Sequence, residues 1–221
     1  MHYDAAHVCG LIAGQAWQQP LAEGAHLLTF STYKSLGGPA AGAVLTNDDR
    51  LAARLDQIAH PGLTANFDVA KSAALAVAML DWKVYGADYA RAMVETSQGL
   101  AAALIDQGVP VFAAAKGATS SHQFALEAAP FGGGQSLAKL LRRANILTCG
   151  IGLPRPAVDN DLNGLRLGTP EIVRWGMQPR HMPTIAEFMA QVLLEKRDPA
   201  EVANAVTNFR QQFDSLAFMR P

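Results

Sequence analysis

In the first part of the chain, segments with the apolar pattern of strands alternate with segments that have the apolar spacing of helices. Short apolar runs at residues 25–30 and 42–46 are typical of buried strands. Helical spacing of apolar residues predicts helices at 8–16, at 48–58, which begins with a capping aspartate, and at the alanine-rich stretch 69–85. Strands that alternate with helices in this way are typical of an α/β domain with a parallel sheet.

The chain beyond about residue 90 has a different pattern, in which strands and helices follow one another less regularly. This pattern favours an α+β domain. We therefore predict two domains, 1–88 and 89–221. The predicted elements of the second part are a bridging helix at 88–107, strands at 109–112, 123–126 and 162–167, helices at 135–144, 182–196 and 199–213, and a turn at 196–199.

Composition agrees with a globular chain that can bury a core. Half of the 221 residues are hydrophobic (50%), 17% are charged, and the net charge is −1. This balance gives no electrostatic reason to expect a nucleic-acid or membrane partner. No apolar run reaches membrane-spanning length and no signal-peptide pattern is seen. Two distant cysteines, Cys9 and Cys149, favour a reducing, cytoplasmic location, and no His/Cys cluster has metal-site spacing.

Candidate chemistry centres on Lys34, which follows an apolar strand and precedes a Gly-Gly-Pro turn. A lysine in this position is partly desolvated, which favours a neutral, nucleophilic amine of the kind that forms Schiff bases. Upstream, Asp4 and His7 place a carboxylate and an imidazole three residues apart. An acidic partner for a pyridine nitrogen, a flat side chain against the ring and a lysine for the aldehyde are what pyridoxal phosphate requires.

Three segments resemble motifs of the serine hydroxymethyltransferase family. Residues 4–14, Asp-Ala-Ala-His-Val-Cys-Gly-Leu-Ile-Ala-Gly, are similar to the family's Asp-Met-Ala-His-x-Ala-Gly-Leu-x-Ala segment. Residues 31–39 resemble its Thr-Thr-Thr-His-Lys-Thr-Leu-x-Gly-Pro lysine segment, and 164–170 its Gly-x-Arg-x-Gly-Thr segment, with the match continuing through 171–177. The motifs stand in the family's order and cover nearly the whole chain.

The resemblance implies a fold-type-I enzyme that depends on pyridoxal 5'-phosphate. It implies a partial PLP-transferase fold: the C-terminal portion of an aspartate-aminotransferase-like α/β large domain, then an α+β small domain. In the family, the residue at Asp4 bonds the pyridine nitrogen, that at His7 stacks on the ring and that at Lys34 holds the cofactor covalently. The arginine at Arg166 binds the amino-acid carboxylate, which suits a planar guanidinium.

Two hydroxyl residues beside the lysine complete the predicted site. Ser31 matches a family position near cofactor and substrate. Tyr33 replaces the family's histidine, and its phenol can still donate a hydrogen bond to phosphate.

The departures from the family pattern predict a divergent member. The chain opens at the aspartate motif, where family members carry about an equal length before it, so we expect a C-terminal half. The family's Gln-Gly-Gly-Pro loop is replaced by residues 61–66, and its Arg-Gly-Gly by 40–42. These changes suggest another aldehyde donor or an α-substituted amino acid, as in a 2-methylserine hydroxymethyltransferase, aldolase or transaldolase.

Several functions remain open at this point. The first is glycine/serine or α-substituted serine interconversion with tetrahydrofolate or a related pterin as one-carbon acceptor. The second is a pterin-independent aldolase or transaldolase of β-hydroxy amino acids. The third is an inactive fragment or one subunit of a split enzyme, which would form a homodimer or associate with a missing N-terminal half. A dimerisation module without cofactor is disfavoured, because it has no need of the four site residues together.

Three weaker motifs have simpler interpretations. Residues 132–134, Gly-Gly-Gly before a helix, could cradle a phosphate, but they lack the P-loop Lys-Ser/Thr and favour a turn. Ser31-x-x-Lys34 matches the penicillin-binding-protein signature without its companion motifs. His122 matches a strand of the family's small domain, which predicts a structural role rather than that of a general base.

Overall fold

A computed structural model describes residues 1–220, which divide into two compact units. The first unit contains residues 1–91 together with 218–220, and the second is Ala92–Ala217. The strands are β1 (His2–Asp4), β2 (Leu27–Ser31), β3 (Gly42–Leu45), β4 (Gln123–Glu127), β5 (Cys149–Ile151) and β6 (Gly164–Gly168). The α-helices are α1 (Cys9–Ala13), α2 (Asp49–Gln57), α3 (Val69–Asp106), α4 (Gly134–Arg143), α5 (Pro170–Arg174), α6 (Met182–Leu193) and α7 (Pro199–Arg210).

The first unit is built on a mixed sheet in the order β1-β2-β3. Strands β1 and β2 are parallel, with Asp4 opposite Thr29, whereas β3 is antiparallel to β2, with Gly42 opposite Ser31. The predicted parallel sheet is therefore correct for β1 and β2 and wrong for β3. The segment between β2 and β3 is too short for the crossover that parallel pairing needs.

The helices of the first unit differ from the prediction at α1 and α3. The helix predicted at 8–16 is shorter and extends over Cys9–Ala13. Asp48 caps α2 as expected, because its carboxylate accepts the Arg50 and Leu51 amides at 2.8 and 3.2 Å. The two helices predicted at 69–85 and 88–107 are instead one continuous helix, α3. Gly86, which lies between the two predicted helices, allows close packing: a Cβ on Gly14 would lie 2.4 Å from the Gly86 carbonyl oxygen.

The last described residues belong to the first unit rather than to the second. The Phe218 ring stacks on Tyr89 with centroids 5.1 Å apart, and the Arg220 guanidinium pairs with the buried Asp81 at 2.9 Å. The predicted boundary after residue 88 falls inside α3, close to this division. No helix of residues 1–220 combines the length and the hydropathy that crossing a membrane requires.

The second unit contains an antiparallel sheet in the order β4-β6-β5. The predicted strand at 109–112 is reduced to a single bridge between Val111 and Leu126. Pro110 in its middle cannot donate to a ladder, which limits the pairing. The short strand β5 was not predicted, because three residues around a glycine carry too weak a pattern.

The core of the second unit lies on one face of this sheet. Leu165 and Leu167 of β6 are 0% and 7% exposed and point into it, whereas Arg166 between them is half-buried on the opposite face. The C-terminal part of α3 and the helices α4, α6 and α7 cover the core face, contributing among others Leu104, Leu141, Met189 and Val202.

The three consecutive glycines form the turn that starts α4. Gly133 has φ 121°, and a Cβ there would lie 2.4 Å from the Asp161 carboxyl group. That carboxylate accepts the backbone amides of Gln135 and Ser136 at 2.8 and 2.9 Å, and the Ser136 hydroxyl at 2.8 Å. These hydrogen bonds hold the pKa of Asp161 well below its usual range. The helix N-terminus is thus capped by an anion from the chain itself, and the expected turn is confirmed.

Replacing Asp161 with alanine should lower the melting temperature at neutral pH, because the first-turn amides of α4 lose their acceptor. The folded-state pKa of Asp161 is lowered, so its stabilisation is fully present above the unfolded-state pKa of about 3.9 and is lost as the pH falls through the lower folded-state value. Thermal unfolding followed by circular dichroism at several pH values tests this. Asp159→Ala, an exposed carboxylate of the same loop, is the control, and equal losses in both variants would contradict the assignment.

Candidate active site

The carboxyl ends of β1 and β2 meet at one edge of the first unit's sheet, because the two strands are parallel. Asp4 ends β1 and is exposed, and one of its carboxylate oxygens accepts the Ala6 amide at 2.9 Å. The half-buried Ser31 ends β2 at the same edge. His7 lies in the turn that leads from β1 into α1 and is also half-buried. Asp4, His7 and Ser31, three of the predicted site residues, therefore lie at or directly after the carboxyl ends of these two parallel strands.

Lys34 reaches this edge from the turn that follows β2. Its Nζ atom lies 3.3 Å from His7 Nε2, within hydrogen-bonding distance, and the side chain is half-buried. Tyr33 is 53% exposed, with its ring centroid 6.0 Å from Lys34 Nζ. The structure thus brings the lysine and the histidine into contact, although the sequence separates them by 27 residues.

Thr32 fixes the shape of the lysine turn from inside. The residue is fully buried, and its hydroxyl lies within hydrogen-bonding distance of the Pro39 carbonyl and, at 2.9 Å, of the Ala41 carbonyl. The Thr32 carbonyl in turn accepts the Gly38 amide at 2.7 Å. These bonds close the turn on itself and fix the backbone on both sides of Lys34.

Ser35 connects the lysine turn to the turn that carries His7. Its hydroxyl donates to the His7 carbonyl at 2.7 Å and accepts the Gly10 amide at 2.9 Å. A Cβ on Gly10 would lie 2.5 Å from the Ser35 carbonyl oxygen, so only glycine fits there. The buried Cys9 thiol donates to the Ser31 carbonyl at 3.3 Å, and burial raises the pKa of this thiol. Both loops are therefore held in one fixed arrangement, which we call the Ser35 junction (His7, Cys9, Gly10, Ser31 and Ser35).

Helix α3 packs against the same turn. The Trp82 indole is 8% exposed and donates from Nε1 to the Leu36 carbonyl at 2.7 Å. A Cβ on Gly38 would approach Leu75 of the same helix to 3.3 Å. The lysine turn is therefore in direct contact with α3.

Arg166, the remaining predicted site residue, belongs to the second unit. It lies on the central strand β6, paired with Ala125 and Cys149 on the neighbouring strands, and is half-buried. None of the ion pairs within residues 1–220 involves Arg166. His122 is 4% exposed, and its carbonyl accepts the Thr169 amide at 3.0 Å; a structural role for its side chain stays a prediction. The described chain contains no cluster of three or more His, Cys, Asp or Glu suited to a metal ion.

The residues that position the lysine were not predicted from the sequence. Thr32, Ser35 and Gly10 make the contacts that fix the two loops, yet each is a common residue whose role depends on a distant partner. The one available signal was the pair of small hydroxyl residues on either side of the Tyr-Lys dipeptide.

The fold of the chain is that of the pyridoxal-phosphate transferases. The solved L-threonine transaldolase of Pseudomonas fluorescens superposes with a TM-score of 0.89 at 27% identity, over 99% of this chain and 50% of that one. The expected partial PLP-transferase fold is thereby confirmed. The chain belongs to the serine hydroxymethyltransferase family, whose model matches residues 1–189. The resemblance found in the three motifs is therefore confirmed.

Curated relatives carry two different names. An α-methylserine aldolase of a Ralstonia species is 63% identical over 218 residues, which are 99% of this chain and 50% of the relative. One from Variovorax paradoxus is 55% identical, covering 98% and 49%. A serine hydroxymethyltransferase of Korarchaeum cryptofilum is 43% identical, covering 99% and 51%. The chain spans about half the length of the curated relatives it matches.

Replacing Ser35 with alanine should destabilise the first unit, because the His7 carbonyl and the Gly10 amide both lose their buried partner. We expect a loss of about 1–3 kcal/mol in the free energy of unfolding. Urea unfolding measures this loss. Ser72→Ala, an exposed serine of α3, is the control, and an unchanged stability of the Ser35 variant would show that the junction is not fixed by this hydroxyl.

A methyl group at Gly10 should be more disruptive than one at Gly42. The added Cβ would lie 2.5 Å from the Ser35 carbonyl oxygen in the first case and 3.6 Å from the Phe30 carbonyl oxygen in the second. We expect Gly10→Ala to cost about 1–3 kcal/mol through overpacking and Gly42→Ala to cost less. Denaturant unfolding of both variants compares them directly, and the reverse order would rule out the close approach.

Proposed function

We propose that this chain forms the lysine-bearing part of a pyridoxal-phosphate site, in an enzyme that makes or breaks the Cα–Cβ bond of a β-hydroxy amino acid. The observation that carries the proposal is the 3.3 Å contact between Lys34 Nζ and His7 Nε2 at the sheet edge where Asp4 also ends its strand. The family membership and the identity to aldolases and hydroxymethyltransferases support it.

The side chains present fit this cofactor. A half-buried primary amine, an adjacent imidazole and an exposed carboxylate come from two loops that the Ser35 junction holds together. When bound, pyridoxal phosphate supplies an aldehyde that reacts with amines and a ring that takes up the electron pair left when a bond to Cα breaks. Asp4 would keep the pyridine nitrogen protonated through its carboxylate, and His7 would pack its flat ring against the cofactor.

Lys34 would hold the cofactor and also handle protons. Its Nζ atom shares a hydrogen bond with His7 Nε2, so a proton can move between the amine and the imidazole over 3.3 Å. The fixed backbone of the lysine turn keeps this distance short, because Ser35 and Thr32 pair the polar groups on both sides. A positioned amine of this kind would act as the nucleophile toward the aldehyde.

Binding of the substrate would involve the remaining predicted residues. Arg166 would bind the amino-acid carboxylate through two parallel hydrogen bonds. Ser31, at the end of β2, would offer a hydroxyl to substrate or cofactor, and Tyr33 would offer its phenol to the cofactor phosphate.

Among the possible reactions, the pterin-independent one is favoured. The α-methylserine aldolases are 63% and 55% identical to this chain, against 43% for the serine hydroxymethyltransferase. We therefore propose reversible cleavage of an α-methylated serine to alanine and formaldehyde. Transfer of the one-carbon unit to tetrahydrofolate is the second candidate, supported by the family and by the 43% identical relative.

A cytoplasmic location stays a prediction.

The surface of the first unit supports association with a further polypeptide. Leu63 and Phe67 are 82% and 84% exposed, and the helix that follows exposes Val69, Val77 and Val84 at 68%, 55% and 58%. Large apolar side chains with this degree of exposure favour an interface with another polypeptide. We propose that it binds a second copy of the chain or the remainder of the full-length enzyme, so activity of the 221 residues alone depends on that association.

The cofactor should bind covalently at Lys34. Pyridoxal phosphate added to the purified chain should produce an absorbance band at the violet edge of the visible range, and borohydride reduction followed by peptide mass spectrometry should locate it. Lys34→Ala should lose both signals, whereas Lys83→Ala, an exposed lysine of α3, should keep them. Labelling of Lys83 or other lysines instead of Lys34 would contradict the assignment.

The reaction itself can be tested in the cofactor-loaded chain, supplied with the N-terminal half of a relative where the chain alone is inactive. We expect formaldehyde release from α-methylserine without tetrahydrofolate. A strict requirement for tetrahydrofolate with serine would favour the second candidate instead.

An acidic residue on the apolar surface should reduce association. Phe67→Asp places a charge on a side chain that is 84% exposed in the first unit, and Leu147→Asp does the same at an 81% exposed position of the second unit. Sedimentation velocity should show loss of the associated species in the first variant alone. Equal behaviour of both variants would exclude this surface as the interface.

A further inference from the structure

The second unit contains a cavity that the proposed reaction does not use. It has a volume of about 540 Å³, within the range of small-molecule sites, which is roughly 300–1,000 Å³. Its walls come from the end of α4, the single helical turn Ala129–Phe131, the end of α6 and the turn that leads into α7. None of the residues assigned to the cofactor or the amino-acid substrate lines it.

The floor of this cavity is apolar. Leu137, Val192 and Leu193 are 1%, 3% and 4% exposed, so they form a fixed surface that belongs to the core. Phe131 and Leu140 are half-buried and extend the apolar surface toward solvent. An apolar ligand that packs on this surface removes apolar area from water, which favours binding.

The rim is cationic. Arg143, Lys196 and Arg197 line it together with one carboxylate, Asp198. The Asp198 carboxylate is already used, because it accepts the Ala200 amide at 3.0 Å as the cap of α7 and pairs with Arg143 at 3.4 Å. Within residues 1–220, no ion pair involves Lys196 or Arg197. Lys196 and Arg197 therefore line an apolar cavity and have no ion-pair partner among the described residues.

We propose that this cavity binds a small amphiphilic carboxylate, a molecule with an apolar body and one anionic end. The body would cover Phe131 and Leu140, the half-buried apolar residues above the core, and the carboxylate would lie between Lys196 and Arg197. A neutral apolar molecule would leave the two cations unpaired, and a small hydrophilic anion would leave Phe131 and Leu140 in contact with water. Charge and shape together select the amphiphile.

Titration of the full chain with octanoate, followed by ¹H–¹⁵N NMR, tests the proposal, with octanol and inorganic phosphate as probes that carry only one of the two features. Octanoate should bind saturably and shift the amides of α4 and of residues 192–198, and both other probes should bind more weakly. The double variant Lys196→Gln/Arg197→Gln should raise the octanoate Kd about tenfold, because the carboxylate loses both of its cationic partners.

Matched variants separate this site from general surface effects. Lys139→Gln/Arg142→Gln removes two exposed cations of α4 that do not line the cavity, and it should leave the Kd unchanged. Leu140→Gln should weaken octanoate by reducing the apolar floor while the charges remain. Equal affinity for octanol and octanoate, equal effects of the two double variants, or no saturable shift at these amides would each overturn the proposal.

Discussion

The hydroxyl of Ser35 is the contact on which the arrangement of the candidate site depends. It bridges the His7 carbonyl and the Gly10 amide, so the loop after β1 and the loop after β2 cannot move independently. Gly10 permits this bridge because any side chain there would collide with the Ser35 backbone. The 3.3 Å contact between Lys34 and His7 is a consequence of that constraint rather than of the two side chains themselves.

In the second unit, a single side chain likewise joins two segments that are distant in the sequence. The helix α4 begins at a glycine turn whose exposed amides are satisfied by Asp161, a carboxylate from a loop 26 residues further on. This contact joins the helix to the loop that precedes β6, the strand that carries Arg166. The position of the predicted carboxylate-binding arginine is therefore set by a central strand with a buried leucine on each side, and by a helix that is capped from outside.

The first unit exposes several large apolar side chains. Leu63, Phe67 and Val69 are 82%, 84% and 68% exposed, although the chain as a whole has enough hydrophobic residues for a core. Since large apolar patches are uncommon on isolated folded domains, this surface fits a partner polypeptide. The second unit, by contrast, encloses its core on its own sheet and helices.

The sequence by itself determined the class of the fold, the family and most of the helices and strands. The motifs around Asp4, Lys34 and Arg166 are local, and the capping of α2 by Asp48 follows from a short-range pattern. Contacts between distant segments were decided only by the tertiary structure. They include the antiparallel β3, the single helix α3 through Gly86, the reduced strand at Val111 and the packing of Phe218 on Tyr89. Periodicity reports burial along one element, whereas these features depend on which other element lies within a few ångströms, and that information resides in no single stretch of the chain.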